Sequence, residues 1–347
     1  MSRYFHLILC EQQTPKKKSK LIYIYILNHH SQNLLLVSIS TPRGKRMALS
    51  MHSHSGQFCP GHAVNTLEEC VQAAISKGLR LFGLTEHMPR DSENDLYPEE
   101  ILAGDNVKIL FARHSAYLAE ALQLRTKYRD QIRILIGFEC EWIRPSYTSL
   151  INQLAIDPII DYFMGSVHHV HHIPIDYNKE LYAKAREIAG GTDVRLFEDY
   201  FDAQYDMLTA VRPRVIGHFD LIRLLSDRRD TDLQQSEGVW TRVLRNLTFI
   251  VERDSLLEVN SSGLRKGLEE PYPMRCVCEA FLAMGGKLTL SDDSHGIDQV
   301  ATFYPQALQY MESLGLKEIW CLDRKDGEES LSSCTVSLQD IKDSLKL

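Results

Sequence analysis

From residue 47 onward, short apolar runs alternate with longer segments in which apolar residues recur every three or four positions. The short runs are Met47–Met51, Leu81–Thr85, Ile132–Phe138, Asp161–Val167, Val215–Gly217, Leu256–Asn260 and Lys287–Leu290. Each reads as a strand. The longer segments Asn65–Lys77, Val107–Tyr128, Val194–Ala210, Val239–Val251, Met274–Met284 and Tyr304–Leu314 read as helices. The first opens on a capping box, Thr66-x-x-Glu69, and stops at Gly78. Seven strands alternating with helices predict a parallel α/β architecture, either a barrel or a doubly wound sheet.

The polar residues decide between the two. Metal-competent side chains stand at or just past the C-terminal end of nearly every strand: His52-Ser-His54, Glu86-His87, Glu139, His168, His218 and Asp292-Asp293-Ser-His295. A barrel gathers residues from many strands around one point on its C-terminal face, whereas a doubly wound sheet offers a single crevice. The pattern therefore favours a barrel.

The chemistry of these positions is specific as a set. On a strand, His52 and His54 share a face and can chelate one ion. Charged Glu86-His87 and Glu139 follow apolar strands, where burial is costly without a partner or a metal. So many carboxylates and imidazoles exceed the four ligands of one zinc and suit two or three ions sharing a bridging carboxylate. Zn, Mn and Fe all accept such N/O ligands. The chain has no GxSxG elbow, P-loop, HExxH or dinucleotide fingerprint.

Charge and composition narrow the partners. The first 50 of the 347 residues carry eight Lys/Arg and one acid, and the other 297 carry 31 basic and 45 acidic side chains. So acidic a body is a poor binder of nucleic acid. The longest apolar run near the start, Leu21–Leu27, is too short for a membrane span of ~20 residues. Eight scattered cysteines with no CxxC pair, and no secretory signal, predict reduced thiols and a cytoplasmic location. Residues 1–46, with the basic run Lys16–Lys20 and the breaker Thr-Pro-Arg-Gly at 41–44, read as a loosely attached or disordered extension, or as upstream sequence from a misassigned start. The folded domain is expected over 47–335, with a C-terminal tail at 336–347.

Beyond these readings, the motifs resemble the PHP (polymerase and histidinol phosphatase) family of metal-dependent phosphoesterases. The similarity runs over roughly 47–325 and includes, in family order, GHAVNTLEECVQAA after the His52-Ser-His54 pair, GLTEHMPR, GFECEW, GSVHHVHHIPIDY, IGHFDLIR, LEVNSSGLRKG and LSDDSH. Several segments look like those of histidinol phosphatases within the family. The resemblance implies a distorted (βα)7 TIM-like barrel with its metal site at the C-terminal face. It also implies hydrolysis of L-histidinol phosphate, in L-histidine biosynthesis, by metal-activated hydroxide attack on phosphorus. Two to three divalent ions are expected. One would take His52, His54, Glu139 and Asp293, with Asp292 as the alternative to Asp293. A second would share Glu139 and add His168 and His218. A third would take His62, His87 and His295.

Glu139, His168 and His87 are the expected catalytic residues. Arg223 and Arg265 are the expected phosphate clamps, because guanidinium matches phosphate bidentately; a structural salt bridge is the alternative for each. Asp176 is the expected contact for the substrate's amine or imidazole, or else a turn-former. Glu86 is placed as an orienting partner, and His169, His171 and His172 are candidate proton donors. The expected partner is a small phosphate monoester, with neither nucleic acid nor membrane. Three other readings remain: a PHP-type nucleotidase or exonuclease, a metal-dependent amidohydrolase, and a metal-binding regulator without turnover.

Overall fold

The computed structural model describes residues 47–324 and 331–347, and, before residue 47, only the backbone of three short strands, Leu9–Glu11, Leu21–Ile24 and Val37–Ser40. These three pair antiparallel in a sheet of their own, and residues 1–45 and 46–347 form two separate units. The basic run at 16–20 and the breaker at 41–44 lie outside the described residues.

The second unit is built on a seven-stranded parallel sheet. Its strands are β1 (Ala48–Ser50), β2 (Leu79–Leu84), β3 (Arg133–Glu141), β4 (Tyr162–Ser166), β5 (Val215–Ile216), β6 (Leu256–Asn260) and β7 (Lys287–Ser291). They pair in strict sequence order. β1 and β7 meet at the C-terminal end, where Met51 N–H donates to Leu290 O at 3.2 Å and His54 N–H to Ser294 O at 2.8 Å. The sheet thus rolls into a nearly closed barrel, and the doubly wound alternative is set aside.

The helices α1 (Leu67–Ser76), α2 (Val107–Lys127), α3 (Tyr147–Ala155), α4 (Asp193–Val211), α5 (Glu237–Glu252), α6 (Arg275–Ala283) and α7 (Tyr304–Ser313) follow the strands in turn. In α1, the buried Leu67, Cys70, Val71 and Ala74 fall at i, i+3, i+4 and i+7, one helical face. Its start is the expected capping box: Thr66 Oγ1 accepts from Glu69 N–H, and Glu69 accepts from Thr66 N–H at 2.7 Å.

The C-terminal end departs from expectation. Strands β8 (Glu318–Arg324) and β9 (Leu331–Ser337) form an antiparallel ribbon, and α8 (Leu338–Leu345) follows. What the sequence presents as a tail at 336–347 is therefore a packed helix with Leu338 and Ile341 buried. It reaches Gly78, whose carbonyl accepts from Ser344 Oγ at 2.6 Å. Gly78 has φ +93°, and a Cβ there would meet Ser344 O at 2.2 Å, so the residue that stops α1 is also where α8 docks.

Candidate metal centre

The longest barrel strand carries the centre of the site. β3 is buried through its last eight residues, and it continues its pairing with the β2 side past the end of β2, through the bridge between His87 and Glu139. Glu139 and Glu141 stand two residues apart, on one face of the strand. The two Glu139 oxygens face different histidines. Oε1 lies 2.9 Å from His218 Nε2 and 3.2 Å from His168 Nε2. Oε2 lies 3.2 Å from His87 Nδ1 and 3.4 Å from both His52 Nε2 and His54 Nε2. Four strand ends thus converge on one carboxylate.

The imidazoles also face one another. His52 Nε2 and His54 Nε2 are 3.1 Å apart, as the HxH spacing predicts, and His168 Nε2 and His218 Nε2 are 3.2 Å apart. Asp293 Oδ1 completes the first pair, 3.4 Å from His54 and 3.6 Å from His52. Among the described residues, donor atoms close enough to share one ion occur in four overlapping sets: His52–His54–Glu139, His52–His218–Asp293, His87–Glu139–His168 and His54–His87–His295. Convergent imidazole nitrogens around a carboxylate with both oxygens engaged form a donor set that fits divalent ions. His62 lies outside these sets and is exposed, with its ring 4.7 Å from that of His295 and 5.4 Å from that of His87.

The charges reinforce one another. Burial alone would lower the His52 pKa, but Asp293, Glu139 and Glu258 outweigh it and hold the imidazole well above its usual value. Burial likewise opposes ionisation of Glu139, and His52, His168 and His87 outweigh it, holding the carboxyl well below the usual range. His87 goes the other way. Burial, with His54 adding to it, drives its pKa down to about 4, leaving a neutral imidazole. Such opposed shifts in one cleft mark a functional site.

Two carboxylates that the sequence reading passes over stand against the ligands. Glu258, in the middle of β6, accepts from or faces His52 Nδ1 at 3.1 Å, His218 N–H at 3.0 Å and Ser291 Oγ at 2.6 Å. Glu141 lies 2.8 Å from His87 Nδ1 and 3.6 Å from His168 Nδ1. Both could have been found: a charged residue inside an apolar strand is the signal that points to Glu86 and Glu139, and it applies equally to Glu258 and Glu141.

The two aspartates of the β7 turn separate cleanly. Asp292 turns away, accepting from Ser50 Oγ at 3.1 Å and Ala301 N–H at 2.6 Å. Asp293 faces the cluster from a left-handed backbone, φ +47°. Arg265 holds that turn, donating to Asp292 O at 3.0 Å and Asp293 O at 2.8 Å. Its guanidinium is thereby tied to the backbone beside the cluster, with one hydrogen bond from each Nη, and helps to position Asp293.

Of the two alternatives for Arg223, the structural one has the partners. It is buried and engaged. Nε donates to Asp220 at 2.9 Å, Nη2 to Pro271 O at 2.8 Å and to Glu270 O at 3.2 Å, and Nη1 to Arg229 O at 3.4 Å. Its guanidinium also sits 5.2 Å over the Tyr272 ring. With four of its five N–H donors engaged by the fold and its side chain buried, the structural salt bridge is the reading its surroundings support.

The remaining candidates divide by place. Glu86 accepts from Ser55 N–H at 2.9 Å and Ser55 Oγ at 2.6 Å, and burial raises its pKa to about 7. It lies 3.9 Å from His54 Nδ1, beyond hydrogen-bond reach. His169 is buried, 3.8 Å from Glu141. His171 and His172 sit exposed at a turn, and His171 pairs with Asp199 at 2.8 Å. Beside His87 and His168 opens a cavity of about 190 Å³ whose lining includes Arg90, Tyr97, Glu99, Asp176 and Tyr177. No described helix is long and apolar enough to cross a membrane.

The PHP domain pattern matches residues 50–262. A probable histidinol-phosphatase of Schizosaccharomyces pombe is 43% identical over 80% of this chain and 90% of its own length. The histidinol-phosphatase of Saccharomyces cerevisiae is 30% identical over 81% of this chain and 93% of its own. Among solved structures, a putative histidinol phosphatase from Listeria monocytogenes superposes with TM-score 0.65 at 23% identity, covering 74% of this chain and 99% of that one. A histidinol phosphate phosphatase from Lactococcus lactis, solved with zinc, L-histidinol and phosphate, gives TM-score 0.60 at 22% identity over 78% and 94%. At that identity, these two structures speak for the fold. With its barrel, its convergent His/Glu/Asp cluster and these relatives, the chain belongs to the PHP domain family.

Proposed function

We propose that the protein is a metal-dependent phosphoric monoester hydrolase, a histidinol-phosphatase that converts L-histidinol phosphate to L-histidinol and phosphate in L-histidine biosynthesis. The observation that carries the reading is Glu139, whose two oxygens face two sets of imidazoles. Two to three divalent ions, of zinc, manganese or iron, fit the donors His52, His54, His87, Glu139, His168, His218, Asp293 and His295, with His62, outside those sets, as the further ligand assigned to the third ion. When bound, they supply Lewis-acid charge for the phosphoryl oxygens and an activated water for attack on phosphorus. A phosphate monoester needs such help, since its uncatalysed hydrolysis is among the slowest biological reactions.

The chain's own residues do the rest. Glu139 joins the two halves of the site. Glu258 orients His52, Glu141 adds negative charge beside His87 and His168, and Arg265 fixes the turn that aims Asp293. A carboxylate behind a ligating imidazole fixes its tautomer and raises its basicity. Glu258→Gln is therefore expected to weaken metal binding by about 10–100-fold. Titrating metal into chelator-stripped protein measures this, and an unchanged affinity would remove Glu258 from the role.

The cavity beside His87 and His168 suits the leaving group. Asp176 and Glu99 bring carboxylates to it, and Tyr97 and Tyr177 bring rings, a lining that matches an ammonium and an imidazole. Asp176→Asn is expected to raise KM for L-histidinol phosphate roughly tenfold or more. KM for p-nitrophenyl phosphate, which has no amine, should stay unchanged. Equal changes for both esters would contradict the assignment.

We place the protein in the cytoplasm with a small-molecule substrate, and read residues 1–46 as dispensable for catalysis. A chain of residues 47–347 is expected to keep its fold and phosphatase rate. Loss of soluble, active protein on this deletion would show that the extension belongs to the folded unit.

A further inference from the structure

Cys321 on β8 and Cys334 on β9 stand directly opposite each other in the antiparallel ribbon. Their Sγ atoms are 3.1 Å apart, closer than two unbonded sulfurs ordinarily pack. Opposed residues in such ribbons have Cα separations of about 4.5–5.5 Å, inside the span of about 4.4–6.8 Å that a disulfide bridges. The bond can therefore form without moving the backbone. No disulfide joins the described cysteines.

We propose that Cys321 and Cys334 are a dithiol pair that closes to a reversible disulfide when the protein meets hydrogen peroxide. The two sulfurs differ in access: Cys321 is buried, and Cys334 is only partly so. Cys334 is the one a peroxide reaches. As the thiolate it attacks one peroxide oxygen and breaks the O–O bond, giving a sulfenic acid, while the departing hydroxide takes up the thiol's proton as one water. The Cys321 thiol then displaces the hydroxyl from the Cys334 sulfur, forming the S–S bond and a second water. Two thiols lose two electrons, and one peroxide is reduced to two waters. In a reducing compartment, such a bond is transient and is reopened by low-molecular-weight thiols.

Its position predicts its effect. A two-stranded ribbon is marginal by itself, and this one is tied to the barrel through Asp323 to Arg133 at the start of β3, and through Arg324 to Asp161 just before β4. α8 follows β9 directly. The pair thus sits toward the N-terminal end of the barrel strands, opposite the face that carries the His/Glu cluster. A closed bond constrains the unfolded chain and staples the ribbon, while leaving the cluster untouched. Oxidation should raise thermal stability and leave the rate of phosphate release unchanged.

The test uses the full-length protein. It is exposed to hydrogen peroxide, quenched with catalase, unfolded, alkylated and mapped by mass spectrometry. The expected result is loss of two of the eight alkylatable thiols, recovered as a peptide linking Cys321 to Cys334 and restored by dithiothreitol. The thermal midpoint should rise by several degrees on oxidation and fall back on reduction. In Cys334→Ser the linkage and the shift should both vanish. Recovery of Cys334 as sulfinic acid with Cys321 still alkylatable would overturn the proposal, and so would mapping of the lost thiols to other cysteines. Peptide mapping of the unsubstituted protein decides the matter even if the variant fails to fold.

Discussion

Glu139→Gln is expected to reduce metal-dependent phosphate release by on the order of 10³-fold or more, with the barrel still folded. The substitution keeps the size of the side chain and removes the charge that five histidine nitrogens face within 3.4 Å. An amide has one acceptor oxygen where the carboxylate has two, so it cannot serve both sets of imidazoles. Metal content should fall in step with activity. Circular dichroism and the denaturation profile distinguish this outcome from simple unfolding. A variant that keeps its full metal content and a near-normal rate would mean that Glu139 does not join the halves of the site.

The second large effect concerns stability. Arg223→Met is expected to destabilise the fold by about 3–5 kcal/mol, because it leaves the fully buried Asp220 without its cation. Asp220 would keep only the Met274 N–H, at 2.9 Å, on the oxygen that Arg223 shares. Denaturant titration reads the loss, and the fraction that remains folded should turn over substrate with nearly unchanged KM. A phosphate clamp predicts the reverse, with normal stability and a collapsed kcat/KM, so one variant separates the two readings of this residue.

Most of the fold was legible in the chain because each barrel strand is an apolar run followed by a helix of clear period. β6 falls on the expected Leu256–Asn260. β3 overruns its expected end, since Glu139 and Glu141 are charged and the apolar run stops at Phe138. Only tertiary partners let those carboxylates stay in a buried strand. The ribbon and α8 escaped notice for a related reason. Serines and charges dominate 331–347, and the burial of Leu338 and Ile341 depends on a docking partner far away in sequence, at Gly78.

The site shows the same division. The clustered His/Glu/Asp positions were legible because strand ends in a barrel converge, so local motifs translate into proximity. Arginines were not. Arg223 and Arg265 are expected at the phosphate because guanidinium matches phosphate bidentately, yet the same fork also donates to backbone carbonyls. Their partners, Pro271 O for Arg223 and Asp293 O for Arg265, are backbone atoms that carry no signature in side-chain sequence. Glu258 was missed although the same cost of burying a charge that flags Glu139 applies to it.

The central claim is that this metal centre hydrolyses L-histidinol phosphate. The most direct test measures phosphate release by the purified full-length protein from L-histidinol phosphate, a nucleoside monophosphate and p-nitrophenyl phosphate, with metal content determined on the same sample. The account predicts two to three bound ions per chain and clear preference for L-histidinol phosphate, with turnover lost on chelation and restored by added metal. Bound ions with faster turnover of the other esters, or no turnover of any of them, would contradict it.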